Sequence, residues 1–105
     1  MQINGVTGFD WDNGNENKCQ KHGVSLSDLE SAFNKTMRIF PDPSHSQDEI
    51  RYIALGKTDE GRDVFVAFTL RQREGKTYIR PISARYMHRK EVEHYEKEIA
   101  NSQNR

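Results

Sequence analysis

The chain has 105 residues and a formal net charge of zero, with 33% hydrophobic and 30% charged residues. This length predicts a single domain, residues 1–105, and the low hydrophobic content predicts a small core filled largely by aromatic side chains. The lone cysteine, Cys19, excludes an intramolecular disulfide. Neither a transmembrane-length apolar segment nor a signal-peptide pattern is present. We therefore expect a cytoplasmic protein that does not bind membranes.

A short strand and a polar helix are predicted at the start of the chain. Phe9 and Trp11 are two residues apart, as on one face of a strand. Asp12 or Asn13 is suited to cap a helix over residues 14–22, because both side chains accept hydrogen bonds from the free N–H groups of a first helical turn.

A second helix is predicted after Gly23, which is placed to end the first one. Ser25 provides its N-cap, although Asp28 stands where a capping box usually has Glu or Gln. The apolar residues of this helix recur at helical spacing and are expected in the core: Leu26, Leu29 and Phe33.

Three strands are predicted in the middle of the chain. A short strand over residues 37–40 is followed by a polar loop, residues 44–48, and by a strand over residues 49–57. Gly61 supplies the positive φ that a hairpin turn needs, and a strand over residues 63–71 follows. Both faces of this strand begin with apolar side chains, which predicts a central position in the sheet.

The last strand and a final helix are predicted to complete an α+β fold. The strand covers residues 77–85 and contains Pro81, which has no N–H group for a ladder, so this strand lies at an edge or carries a bulge. The helix that follows has a narrow apolar stripe of Val92, Tyr95 and Ile99, and we expect residues 101–105 to fray. The predicted architecture is an antiparallel sheet with two N-terminal helices and one C-terminal helix.

Positive charge is concentrated between Arg71 and Lys90, where seven Lys or Arg residues accompany one acid, Glu74. Because the whole chain is neutral, this concentration is local, and it favours a partner that carries phosphates. A solvated basic surface with no partner is the alternative. The seven residues are Arg71, Arg73, Lys76, Arg80, Arg85, Arg89 and Lys90.

Neither a metal site nor a cofactor is predicted. The cysteine and the histidines show no Cys-x-x-Cys or His-x-x-x-His spacing, and no glycine-rich phosphate loop occurs. RNA, however, can be cut by its own 2′-hydroxyl. A protein must then supply a proton-transfer group, cations for the developing charge, and a surface that enforces in-line geometry.

His22 is a candidate for that proton transfer near neutral pH, and its neighbour Lys21 is charged. A helix-terminal histidine that bonds backbone carbonyls is the structural alternative. Thr69 and Arg71 share a strand face by alternation, so they can reach one ligand together. Five arginines are able to bind phosphate in a bidentate manner: Arg51, Arg71, Arg80, Arg85 and Arg89.

Several segments resemble, in order and spacing, those of the BrnT toxins. The resemblance covers residues 9–97 and is carried by Phe9-x-Trp11-Asp12, Lys21-His22-Gly23-Val24-Ser25, Arg51 to Gly56, Phe68 to Arg71, and Ile79 to Arg85 with Glu91 and Tyr95 downstream. It implies a compact RelE-like α+β fold and a metal-independent ribonuclease that halts translation. It also implies a BrnA-like antitoxin of the ribbon-helix-helix type, which neutralises the toxin, represses their shared operon, and links the toxin to operator DNA.

The resemblance also suggests site residues. We expect His22 in proton transfer, with three arginines on the scissile phosphate: Arg51, Arg71 and Arg85. RNA binding or orientation is expected of seven more residues: Lys21, Thr69, Arg80, Ser83, Arg89, Glu91 and Tyr95. The alternative function is a non-catalytic binding module or corepressor, whose basic face docks an acidic protein or DNA.

Overall fold

The computed structural model describes residues 5–45 and 48–103. In chain order, its elements are β1 Val6–Phe9, α1 Asn13–Gln20, α2 Leu26–Phe33, β2 Arg38–Pro41, a 3₁₀ turn Pro43–His45, β3 Tyr52–Lys57, β4 Asp63–Arg73, β5 Lys76–Tyr86 and α3 Arg89–Gln103. The strands form one sheet of order β1-β5-β4-β3-β2. The predicted central position of β4 is confirmed.

β1 joins the edge of the sheet by pairing in parallel with β5. Phe9 lies beside Ile79, and the Asp10 N–H donates to the Ile79 carbonyl at 2.8 Å. The other neighbouring strands in the described sheet are antiparallel. The predicted α+β class is confirmed, but the sheet is mixed and not antiparallel throughout. A parallel partner so distant in sequence leaves no local hairpin signal.

Both N-terminal helices begin at the predicted caps. The Asp12 carboxylate accepts from the Asn15 N–H at 3.1 Å, and the Asn15 side chain accepts from the Asp12 N–H at 2.7 Å. Ser25 Oγ accepts from the Asp28 N–H at 3.1 Å at the start of α2. Gly23, with φ of +91°, lies in the turn between the helices, where a side chain would be strained.

The ends of some elements differ from those predicted. The strand expected from residue 49 begins at Tyr52, and just before it the Ile50 carbonyl accepts from the side chain of Thr69. α3 continues to Gln103, so three of the residues expected to fray are helical. Residues 104–105 of that tail, residues 46–47 of the expected loop and the side chain of Ile99 lie outside the described part of the chain.

The core lies between α1, α2 and one side of the sheet, which we call the core face. Val64, Val66 and Phe68 of β4 are buried there against α1 and α2 residues that include Cys19, Leu29 and Ala32. The ring of Phe33 meets Phe68 edge-on at 5.4 Å. Full burial of each such apolar side chain contributes about 1.5–3 kcal/mol, so this interface holds the helices in place.

Candidate active site

The opposite side of the sheet, which we call the arginine face, carries the other side chains of β4 and their partners on β5. Phe65 lies opposite Arg85, Ala67 opposite Ser83, Thr69 opposite Arg80, and Arg71 opposite Tyr78. Directly opposed residues of antiparallel strands point to the same face. Thr69 and Arg71 therefore share a face, as alternation predicts, and most of the expected β5 residues lie beside them.

A bulge at Pro81 explains how Arg80 reaches this face. Phe68 pairs with Pro81 and Ala67 pairs with Ser83, so Ile82 is an extra residue on β5. Strict alternation would have turned Arg80 to the face opposite Ser83, and the extra residue cancels that difference. The bulge was one of the two alternatives predicted for Pro81.

Arg85 and Glu91 form a bidentate ion pair where α3 crosses the arginine face. Arg85 Nη1 lies 2.7 Å from Glu91 Oε1, and Nη2 lies 2.7 Å from Oε2. The guanidinium carbon lies 4.7 Å from the centre of the Phe65 ring, and Tyr95 packs against the same ring at 5.9 Å. We call these four residues the Arg85 cluster.

The ion pair shifts the pKa values of Arg85 and Glu91 in the expected directions. Hydrogen bonding to Arg85 lowers the pKa of Glu91, and the nearby His88 charge also contributes to that lowering. Hydrogen bonding to Glu91 raises the pKa of Arg85. The backbone N–H of His88 also points to Glu91 Oε1, at 3.4 Å. Sequence reasoning missed His88, which stands at the start of α3 beside this pair.

Arg71 forms a second ion pair on the same face, with Glu49. The buried Thr69 hydroxyl donates to the Ile50 carbonyl at 2.7 Å and so fixes the segment that carries Glu49. We call Arg71, Glu49 and Thr69 the Arg71 cluster. Sequence reasoning missed Glu49, because it lies 22 residues before Arg71 in a segment that was expected to be a strand.

Arg80 is held by two carboxylates at the β1 edge. It lies 2.8 Å from Asp12 and 3.5 Å from Asp10, and Asp10 also binds Arg73 at 3.1 Å. Asp10 is only 7% exposed and the Arg80 side chain 21%. Detaching Arg80 would break its contacts with two carboxylates, one of them buried, so this network favours a structural role for Arg80 over the expected RNA contact. The hydrogen bond from the Asn15 N–H lowers the pKa of the Asp12 carboxyl most, and the contact with Arg80 lowers it further.

The remaining expected site residues lie outside these clusters. Lys21 and His22 are exposed in the turn between α1 and α2. Among the residues that the structure describes, no hydrogen bond or ion pair joins His22 to an arginine. Arg51 directly precedes β3, and its carbonyl accepts from the Asp42 N–H at 2.9 Å. Arg89 opens α3 and is almost fully exposed, 3.4 Å from Glu93.

Arg71 and Arg85 do not converge on one point. On β4, Arg71 and Phe65, the partner of Arg85, are six residues apart. At about 3.3 Å of rise per residue, the two arginines are therefore about 20 Å apart along the sheet. Each guanidinium is held at its own end by its own carboxylate. Ala67 and Ser83, two small residues, lie between them.

Two broader features of the described residues bear on function. No group of three or more His, Cys, Asp or Glu side chains in residues 5–45 and 48–103 is arranged to hold a metal ion. Within the same residues, none of the helices combines the length and the apolarity that crossing a membrane would require.

A mixed sheet with α1 and α2 packed on one face, and with arginines gathered beside α3 on the other, defines an α+β protein suited to a phosphate-bearing ligand. Comparison with known families identifies it further. The model of the family described as "Ribonuclease toxin, BrnT, of type II toxin-antitoxin system" matches residues 11–91. The chain belongs to this family: it is a ribonuclease toxin, with RNA as substrate and an antitoxin as partner. None of the curated proteins matches the sequence.

Proposed function

We propose that this toxin cleaves RNA without a metal ion, at the Arg85 cluster, and thereby inhibits translation in the cytoplasm. The observation that carries the proposal is the bidentate Arg85–Glu91 pair, which lies half-exposed on the arginine face next to Ser83. A guanidinium that binds a carboxylate through two parallel hydrogen bonds has the geometry to bind a phosphate in the same way.

In the proposed reaction, the RNA strand attacks its own phosphate. The 2′-hydroxyl loses its proton to a base, its oxygen bonds to phosphorus, and the bond from phosphorus to the 5′-oxygen breaks. The products are a 2′,3′-cyclic phosphate and a 5′-hydroxyl, which takes a proton from solvent. Arg85 stabilises the charge that develops on the phosphate oxygens. Ser83, Glu91 and Tyr95 orient Arg85 in the free protein, and the phosphate replaces Glu91 on the guanidinium when RNA binds.

Two histidines are candidates for the base. The family motif favours His22, whereas position relative to the ion pair favours His88, whose backbone N–H points to Glu91 Oε1 at 3.4 Å. An imidazole titrates near neutral pH, as proton transfer requires. Replacing each histidine by alanine distinguishes them. The base is the histidine whose replacement removes the change in cleavage rate with pH near neutrality.

We further propose that a BrnA-like ribbon-helix-helix antitoxin neutralises the toxin, and that the toxin meets operator DNA only through that antitoxin. Membership of a type II toxin–antitoxin family supports a protein antitoxin. Mobility-shift assays test the second part: operator DNA is expected to bind the complex and the antitoxin alone, but not the toxin alone.

The cleavage test compares Arg85→Ala with Arg38→Ala. Arg38 also joins the sheet to α3 through a glutamate, Glu96 at 3.7 Å, but it lies on the edge strand β2. In the presence of EDTA, we expect wild type and Arg38→Ala to cleave RNA and to arrest growth, and Arg85→Ala to do neither while staying folded. Intact RNA with the wild-type protein would favour the non-catalytic binding module.

A further inference from the structure

The Arg71 cluster is on the same face as the proposed cleavage site, but it is too far away to act there. About 20 Å of sheet separates Arg71 from Arg85, by the rise of β4. A stacked strand advances about 3.4 Å per nucleotide, so this distance corresponds to about six nucleotides, or fewer in an extended strand. One RNA strand lying along β4 and β5 would therefore meet both arginines.

Arg71 has an aromatic neighbour suited to a base. Tyr78 lies directly opposite Arg71 on β5, on the arginine face, and is partly exposed. A cation beside an exposed ring is the usual combination for single-stranded RNA, because the cation binds the backbone and the ring stacks on a base. The pair thus offers both contacts that one nucleotide needs.

The ion pair that holds Arg71 can open. The Arg71 and Glu49 side chains are 39% and 32% exposed, so water screens their attraction and replaces the partner that leaves. Arg80 contrasts with Arg71, because its side chain is only 21% exposed and contacts two carboxylates, of which Asp10 is buried. Thr69 keeps the Glu49 segment in place through Ile50, so Glu49 remains available to bind Arg71 again.

We propose that Arg71 and Tyr78 form a second nucleotide subsite, which binds single-stranded RNA several nucleotides from the cleaved bond. Glu49 binds Arg71 in the free protein, and an RNA phosphate replaces it. This inference rests on the proposed function, and it assigns Arg71 to a flanking phosphate instead of the scissile one. Favourable contact at the subsite strengthens RNA binding and leaves the chemical step unchanged.

Substrate length tests the subsite. Two oligoribonucleotides are compared, one of about three nucleotides and one of about twelve. At about 3.4 Å per nucleotide, the short one cannot reach from Arg85 to Arg71. Arg71→Ala is expected to raise KM for the long substrate by about 10-fold or more, with kcat unchanged and with no effect on the short one. Tyr78→Leu is expected to act in the same direction, and Tyr78→Phe to behave as wild type.

Glu49→Gln provides a change in the opposite direction. It removes the competitor for Arg71, so KM for the long substrate is expected to fall, a result that misfolding cannot imitate. Asp63→Asn is the matched control, because it also removes the acid of a partly exposed ion pair, Lys57–Asp63 at 2.9 Å. This control is expected to leave KM and kcat unchanged for both substrates.

The outcomes separate the two proposals. If wild type cleaves both substrates and Arg71→Ala changes them equally, the subsite is overturned while the ribonuclease site stands. If Arg71→Ala weakens binding of the antitoxin but not of RNA, the cluster is a protein contact, and the subsite is again overturned. If wild type cleaves neither substrate, the proposed function fails and the subsite fails with it.

Discussion

Pro81 of β5 lies opposite Phe68 of β4, and the extra residue that follows Pro81 brings Arg80 to the same face as Arg85. Proline cannot donate a ladder hydrogen bond, so a bulge at this point costs less than it would elsewhere in an inner strand. The bulge also frees the Pro81 carbonyl, which accepts from the Asn15 side chain at 2.9 Å. The proline at position 81 thus favours the bulge, and the bulge decides which β5 side chains lie on the arginine face.

The first prediction concerns Asn15, the buried side chain that ties α1 to this bulge. Its amide donates to the carbonyls of Asp10 and Pro81, both at 2.9 Å, and its oxygen accepts from the Asp12 N–H. Asn15→Ala leaves these buried groups without partners, so we expect a loss of about 3 kcal/mol in the free energy of unfolding. Urea denaturation measures it. Asn17→Ala, at an exposed position of the same helix, is expected to change stability little.

Asn15→Asp is expected to destabilise the protein at least as much. A carboxylate cannot donate to the two carbonyl oxygens, and it would lie beside them as a buried charge. A stability equal to that of wild type in either variant would contradict the role given to Asn15.

Local signals in the sequence predicted much of the fold. Asp12 and Ser25 were identified as possible caps because their side chains satisfy free N–H groups within three residues, a relationship that needs no tertiary contact. The hairpin at Gly61 was predicted for the same reason, and the bulge at Pro81 was one of the two alternatives predicted there. By contrast, nothing near β1 indicates that its partner lies about 70 residues away, so its parallel pairing was not predicted.

The candidate site was predicted in part, for a similar reason. Alternation placed Thr69 and Arg71 on one face, and the register confirms it. The carboxylates that hold the arginines were missed where the partner is distant, as with Glu49 and Asp10. Which side chains pair across the sheet depends on the strand register, and the local patterns of a single sequence do not reveal that register.

The second prediction concerns the reactivity of Cys19. Its side chain is fully buried among core residues, and burial raises the pKa of the thiol to about 11. At pH 8 only about one thiol in a thousand would then be ionised, and a thiol reagent attacks the ionised form. We expect no labelling of the native protein with Ellman's reagent and complete labelling in denaturant. Rapid labelling of native protein would contradict the buried position.

The third prediction concerns stability in acid. Arg85 lowers the pKa of Glu91 in the folded protein, so folding favours the ionised carboxylate. The stabilisation is fully present above the ordinary pKa of glutamate and is lost as the pH falls through the lowered folded-state pKa. Wild type is expected to have a higher Tm than Glu91→Gln at neutral pH, by a margin that shrinks below about pH 4. Because the pair is partly exposed, the margin corresponds to about 1 kcal/mol or less.

Glu93→Gln is the control for this measurement, since Glu93 pairs with the exposed Arg89, one turn earlier on α3. Its Tm is expected to follow wild type at every pH. A Glu91→Gln deficit that persists unchanged in strong acid would mean that the carboxylate charge is not the cause.

The fourth prediction separates the structural role of the Arg85–Glu91 pair from its chemical role. Exchanging the two residues, as Arg85→Glu with Glu91→Arg, keeps an ion pair between β5 and α3 but removes the guanidinium from position 85. Each single change places two like charges together and is expected to lower the Tm. The double change is expected to recover most of the loss, apart from about 0.3–1 kcal/mol for a cation in the first turn of a helix. Because phosphate binding requires the guanidinium on the sheet, neither Arg85→Glu nor the double variant is expected to cleave RNA. If the stable double variant cleaves RNA at the wild-type rate, the pair only anchors α3, and the proton transfer and phosphate binding take place elsewhere.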